Sequence, residues 1–198
     1  MPTTTTTRVV LPELEQHPTQ ACSDRHTGSK ISMVVIHRWG VSQWKGERID
    51  GVINYFKNPA NQVSSHLVYA GEQGPDAGRC VQMVPLAKKA WTEAAFNSVG
   101  VSVESSDRLW LGDDLAGLHR LARITGWLLH HHGLPAVDLE GEAVLNDRGF
   151  TRHGALGMNG GGHTLCPTAT PTDPRWLLFR KQVKAEYDRG GYRTVWAT

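Results

Sequence analysis

The chain is poor in cysteine, with three in 198 residues, and Cys22, Cys80 and Cys166 share no regular spacing. An odd, scattered set argues against a disulfide framework, and reduced thiols, as in the cytosol, are the better reading. Long apolar runs are also missing. No stretch reaches the length of a membrane span, and the opening "MPTTTTTRVVLPELEQ" lacks the apolar core of a secretory signal. The expectation is a chain made soluble in the cytosol, with no stable membrane insertion. Charge of one sign is not in excess: 21 basic and 19 acidic side chains leave a formal net charge of +2, so nucleic acid is not the expected partner. There is no G-x-S-x-G elbow, Walker loop or dinucleotide fingerprint, no internal repeat and no heptad pattern.

What is present is a pattern of short apolar runs and helical periods, enough for one globular domain. Residues 1–30 are polar, Thr-rich and aperiodic at the start, and read as an arm or loosely packed lead-in. The domain proper is expected over 31–190, with 191–198 as a tail. "ISMVVIH" is a continuous β-branched run, a strand buried on both faces with His37 at its C-terminal end. "ERIDGVINYFKNP" sets Ile49, Val52, Ile53 and Phe56 on one helical face, closed by Pro59. "SSHLVYA", "RCVQMVPL" and "SVGVSVESS" read as strands. "DDLAGLHRLARITGWLLHHHG" is a long helix with Leu115, Leu118, Leu121, Ala122, Leu128 and Leu129 on one side, an aspartate N-cap and Gly133 as C-cap. "DPRWLLFRKQVKAEYDRGG" closes the chain as a helix packed through Trp176, Phe179 and Val183. This order predicts an α/β fold, a central mixed sheet flanked by helices with a cleft at the strand ends.

Chemistry concentrates in few places. "FTRHGALGMNGGGHTLCPT" carries His153, His163 and Cys166 around a glycine-rich loop able to fold back on itself. With His37 and His66 these are the candidate ligands for zinc, which takes imidazole nitrogen and thiolate sulfur and, in catalytic sites, keeps a fourth position for water. Spacing alone reads equally as a buried strand histidine and an ordinary loop, because H-x12-C is no short zinc motif. "LLHHHG" looks more like a metal cluster than it is: adjacent helical residues point about 100° apart, so His130, His131 and His132 cannot converge on one ion.

Taken together, "MVVIHRWG", "VSSHLVYA", "CVQMVPLAKKAWTEA", "NSVGVSVESS", the long helix followed by "FTRHGAL", and "HTLCP" resemble the type 2 N-acetylmuramoyl-L-alanine amidases. This zinc family includes phage endolysins and peptidoglycan recognition proteins. The resemblance spans roughly 31–179. It implies zinc, one per chain, on His37, His153 and Cys166, with His163 an insertion or outer residue. It implies hydrolysis of the amide between N-acetylmuramic acid and L-alanine, with water activated by the metal and no protein nucleophile. Cys166 is then a permanent thiolate.

The departures from the family pattern are informative. Where the family usually places a Tyr or a Glu for proton transfer, this chain has Ser65 and Ser102. Glu104, two residues on and on the same strand face, could take the general-base role by reaching further; its alternative is a solvated strand-end carboxylate. Thr164 matches the Lys or Thr that donates to the developing oxyanion. Thr92 stands where the family has a substrate-contacting histidine. Trp91, Trp39 and Trp44 could stack on a sugar or peptide at the rim, or simply pack. His66 matches a position beside the metal, or is a satisfied core histidine. The functional expectation is a phage endolysin, bacteriolytic and monomeric, made in the host cytoplasm and released onto the wall with a holin-type partner. A cytosolic wall-recycling amidase and a non-catalytic recognition module are the alternatives.

Overall fold

In the computed structural model, residues 13–40 and 48–192 are described; Trp44, most of the Thr-rich start and all but the first two residues of the expected tail lie outside them. In chain order the elements are β1 (Leu14–Gln16), β2 (Cys22–Asp24), β3 (Met33–Arg38), α1 (Ile49–Lys57), β4 (Leu67–Tyr69), β5 (Cys80–Gln82), β6 (Lys88–Ala90) and β7 (Gly100–Ser105). Then follow α2 (Arg108–Leu111), α3 (Leu115–His131), α4 (Ala143–Asn146), β8 (Gly149–Arg152) and α5 (Pro174–Arg189).

Six strands form one sheet in the order β1-β5-β4-β7-β3-β8, and β2 pairs with β6 separately. Among the described residues the β4–β5 pair is the one antiparallel pairing in the large sheet, so the expected mixed sheet is present. The run "MVVIH" forms β3 because every residue from Met33 to His37 is buried, and it sits between two parallel partners, β7 and β8.

Alternation along β3 divides the core. Val34 and Ile36 face a layer made by α3 and α5, where Leu118, Leu121, Trp127, Trp176 and Phe179 pack together. Met33 and Val35 point to the opposite face with Phe96, Leu139 and Val144, while α1 covers the same face further along the sheet through Ile49, Val52, Ile53 and Phe56. His37 continues the Met33 and Val35 series, on the face opposite α3 and α5, at the carboxyl edge of the sheet.

The long helix begins as read: Asp114 Oδ1 accepts the Gly117 N–H at 2.8 Å, and its Oδ2 accepts the Glu72 N–H at 2.7 Å. Leu115 does not join the buried face. It is half exposed, because the packing stripe starts at Leu118. The larger correction is to the lead-in. Residues 14–16 add the edge strand β1, parallel to β5, and residues 22–24 pair with β6. Arg25 then donates to the carbonyls of Asn97, Ser98, Leu86 and Gly100. The segment is anchored by backbone and guanidinium hydrogen bonds that carry no hydrophobic period, so a search for periodicity passes over it.

Candidate metal centre

Register builds the site. His37 lies directly opposite Glu104 across β3 and β7, and Ile36 opposite Arg152 across β3 and β8, so His153, one residue past β8, arrives level with His37. All three parallel strands end here, where open α/β sheets place their sites. The loop after His153 returns through a glycine-rich turn to bring Cys166 beside β3. There the Arg38 N–H donates to Cys166 Sγ at 3.3 Å, and the Gly154 N–H donates to the Cys166 carbonyl at 2.6 Å. Ligand atoms of His37, His153 and Cys166 lie within 4.8 Å of one another. The two imidazole centroids are 4.2 Å apart.

The donor chemistry fits a metal. The Gly160 carbonyl can only accept, so the 2.8 Å contact from His153 Nε2 fixes the proton there and leaves Nδ1 as a lone pair. For His37, the Nδ1 edge faces Glu104 at 3.8 Å and the Nε2 edge faces Glu93 at 3.7 Å. Glu104 lines the cleft and Glu93 does not, so Nδ1 is the edge turned toward the opening. Two imidazole nitrogens and a sulfur form a set that selects zinc over the hard cations.

Electrostatically the site is a desolvated pocket of neutral groups. Burial pushes the His37 imidazole well below its ordinary value, helped by His153, and pushes His153 down to about 4. Burial raises Glu104 to about 8, with Asp107 and Glu93 adding to the shift, and raises Glu93 to about 8 against the opposing pull of Arg25. The His37 contacts to Glu93 and Glu104 are therefore not ion pairs near neutral pH, despite their geometry. The Cys166 thiol is raised as well, first by burial and then by Glu104. A bound cation reverses that balance and favours the thiolate.

These shifts predict how stability of the chelator-treated protein depends on pH. Depressed histidines stabilise the fold above about pH 6.5 and lose that contribution as pH falls. Carboxyls raised to about 8 act oppositely: their contribution is complete below about pH 4.5 and is lost as pH climbs toward 8. Between pH 6.5 and 8 the carboxyls dominate, so Tm is expected to fall by about 5 °C or more, measured by differential scanning fluorimetry. A flat profile there would refute the buried, neutral carboxyls.

A cleft of about 510 Å³ opens over the three candidate ligands. Its walls include Glu104, Thr164, Thr92 and Trp39, together with the apolar Val52, Phe56 and Val63. Glu104 is only 8% exposed, so it is not the solvated strand-end carboxylate of the alternative reading. Thr92 is held from behind, donating to the Ser64 carbonyl at 2.7 Å. Trp91 is not among the cleft residues: pairing of β6 with β2 turns its indole toward Ser23 Oγ, to which it donates at 3.1 Å.

The other histidines singled out in the sequence take separate places. His66 is a satisfied core residue, with Nδ1 at 2.9 Å from Ser102 Oγ and Nε2 at 3.0 Å from the Lys88 carbonyl. Ser102 is committed to that pair, and Ser65 donates to the Leu67 carbonyl. His163 lies on the cleft wall, its ring 4.9 Å from that of His153. His130 stacks on Tyr187 and His131 on Trp127, so that cluster does not converge. Two residues that sequence reasoning passed over are Glu93 and Arg25. Glu93 sits in the quoted "AWTEA", one place beyond Thr92, and its burial, which marks it, is visible only in the structure.

The fold and the three converging side chains define an α/β domain with a candidate His-His-Cys centre at the carboxyl edge of parallel strands. Residues 27–169 match the family model of N-acetylmuramoyl-L-alanine amidases, and the chain belongs to that family. It is thereby an enzyme of peptidoglycan amide hydrolysis. No curated protein matches it by sequence. Among solved structures it is similar to the Staphylococcus aureus hydrolase AmiA in complex with its ligand, with 17% identity and TM-score 0.68 over 95% of this chain and 90% of that one. A mutant endolysin from Bacillus subtilis aligns at 16% identity and TM-score 0.55, covering 87% and 99%. The endolysin amidase LysCS from Clostridium intestinale aligns at 13% and 0.52, covering 87% and 96%. Identities this low speak to the fold alone.

Proposed function

We propose that the chain is a zinc-dependent N-acetylmuramoyl-L-alanine amidase acting on peptidoglycan, with His37, His153 and Cys166 as metal ligands. The observation that carries this reading is the convergence of their ligand atoms within 4.8 Å, with His153 locked in the tautomer that presents Nδ1. A zinc ion held there supplies a Lewis acid for the scissile carbonyl and lowers the pKa of water. Glu104, on the cleft wall opposite His37, takes the proton of the attacking water and returns it to the leaving amine. Thr164, exposed on the returning loop, offers its hydroxyl to the developing oxyanion. Trp39 and Thr92 contact the substrate along the wall.

The wider setting we favour is a phage endolysin working as a monomer, made in the host cytoplasm and reaching the wall with a holin-type partner. The experiment that tests the chemistry incubates purified protein with isolated wall and follows release of free peptide amino termini. Activity is expected to vanish with a chelator and return on adding zinc, at about one zinc per chain. Binding to wall without peptide release would instead support a recognition module, and release indifferent to chelation would end the metal reading.

A further inference from the structure

Behind His37, on the side away from the cleft, stands a buried carboxyl group to which the proposed reaction gives no part. Glu93 is 1% exposed, and its Oε1 lies 3.7 Å from His37 Nε2. Neither atom has a hydrogen-bond partner. Two orphaned polar atoms facing each other inside a protein are costly, and each is the other's natural complement. They stand about half an ångström beyond hydrogen-bonding distance.

The local chain is shaped to keep Glu93 there. Asn97 Oδ1 accepts the N–H groups of both Thr92 and Glu93, at 3.1 and 2.6 Å. Ala94, the next residue, takes φ +48°, a left-handed conformation that is unfavourable for a residue with a Cβ and is retained only where the surroundings enforce it. On β7, Gly100 leaves the space that the carboxyl group occupies, since a Cβ there would collide with Glu93 Oε2. Arg25, tied to the carbonyls of Asn97, Ser98 and Gly100, brings its positive charge to bear on Glu93 from behind.

We propose that Glu93 is a positioning residue for the metal centre: its carboxyl oxygen Oε1 accepts a hydrogen bond from the His37 Nε2–H, which orients the ring and presents Nδ1 as a ligand lone pair. His153 is treated in the same way by the Gly160 carbonyl, so each histidine is fixed from its far side by an oxygen acceptor. This rests on the zinc reading of the site.

The test uses the full chain and its Glu93→Gln and Glu93→Ala variants, with zinc affinity measured by competition against a chromogenic chelator. Affinity is expected to fall about 10–100-fold in Glu93→Ala, and by less in Glu93→Gln, whose amide oxygen can still accept. In the metal-free parent, nitrogen NMR is expected to find the His37 proton on Nε2, and in Glu93→Ala to find it distributed over both nitrogens. Glu93→Gln has nearly the same shape as the parent side chain and supplies the comparison if the alanine variant does not fold. A parent that binds zinc alongside variants within threefold of it overturns this inference alone, as does a His37 proton on Nδ1. A parent that takes up no zinc overturns the metal reading and this inference with it.

Discussion

Replacing Cys166 by serine is expected to empty the site. A serine hydroxyl can still accept the Arg38 N–H that now reaches Cys166 Sγ, so the loop has no local reason to move. The hydroxyl is a far weaker zinc ligand than a thiolate, because it keeps its proton at neutral pH. Loss of an outer partner of a ligand already costs about 10–100-fold in metal affinity, so loss of a direct ligand should cost at least about a hundredfold. Lewis-acid stabilisation is worth several kcal/mol, so release of peptide from wall is expected to fall roughly 10³-fold. Metal content by mass spectrometry and the thermal transition, measured on one preparation, separate loss of zinc from loss of fold. A Cys166→Ser protein that cleaves wall at the parental rate would sink the zinc mechanism.

The second large effect is expected at Glu104. Its partner across the sheet is His37, and its carboxyl is buried on the cleft wall. Glu104→Gln keeps the shape and removes the base, so kcat is expected to drop by about 10²–10⁴-fold while zinc content stays near one per chain. The pH profile gives the sign. A base must be ionised to act, and burial holds Glu104 protonated up to about 8 in the metal-free state. A cation bound next to it pulls that value down. The parental kcat/KM is therefore expected to rise with pH through an inflection below 8, and Glu104→Gln should lack that limb. An unchanged kcat in the variant would move the proton-transfer role elsewhere on the cleft wall, and a parallel fall in zinc affinity would mark Glu104 as a support for His37.

The contrast between Glu104 and Glu93 shows how far a linear reading reaches. Glu104 was legible as a candidate because strand alternation puts it on the face of Ser102, where the family usually carries its acid; that it stands opposite His37 came only from the strand register. Glu93 lies after a three-residue strand, in a turn held by Asn97, with Gly100 leaving its carboxyl room and Arg25, from a distant stretch of the chain, acting on it electrostatically. Trp91 fails for a related reason. Its place beside Thr92 suggests the cleft, but the pairing of β6 with β2 sends the indole to Ser23, and β2 has no periodicity to announce it.

By itself, the sequence determined the elements whose burial is periodic: β3 from its unbroken β-branched run, α1 and α5 from apolar faces, α3 from its stripe and aspartate cap. It also contained the motifs whose resemblance named the family and pointed to His37, His153 and Cys166. Only the tertiary structure decided that these three meet, because their separation along the chain is closed by strand register and by a glycine loop with no period of its own. It alone decided which nitrogen of each histidine is turned to the cleft, since that depends on the acceptor standing behind the ring: the Gly160 carbonyl for His153 and, as we propose, Glu93 for His37.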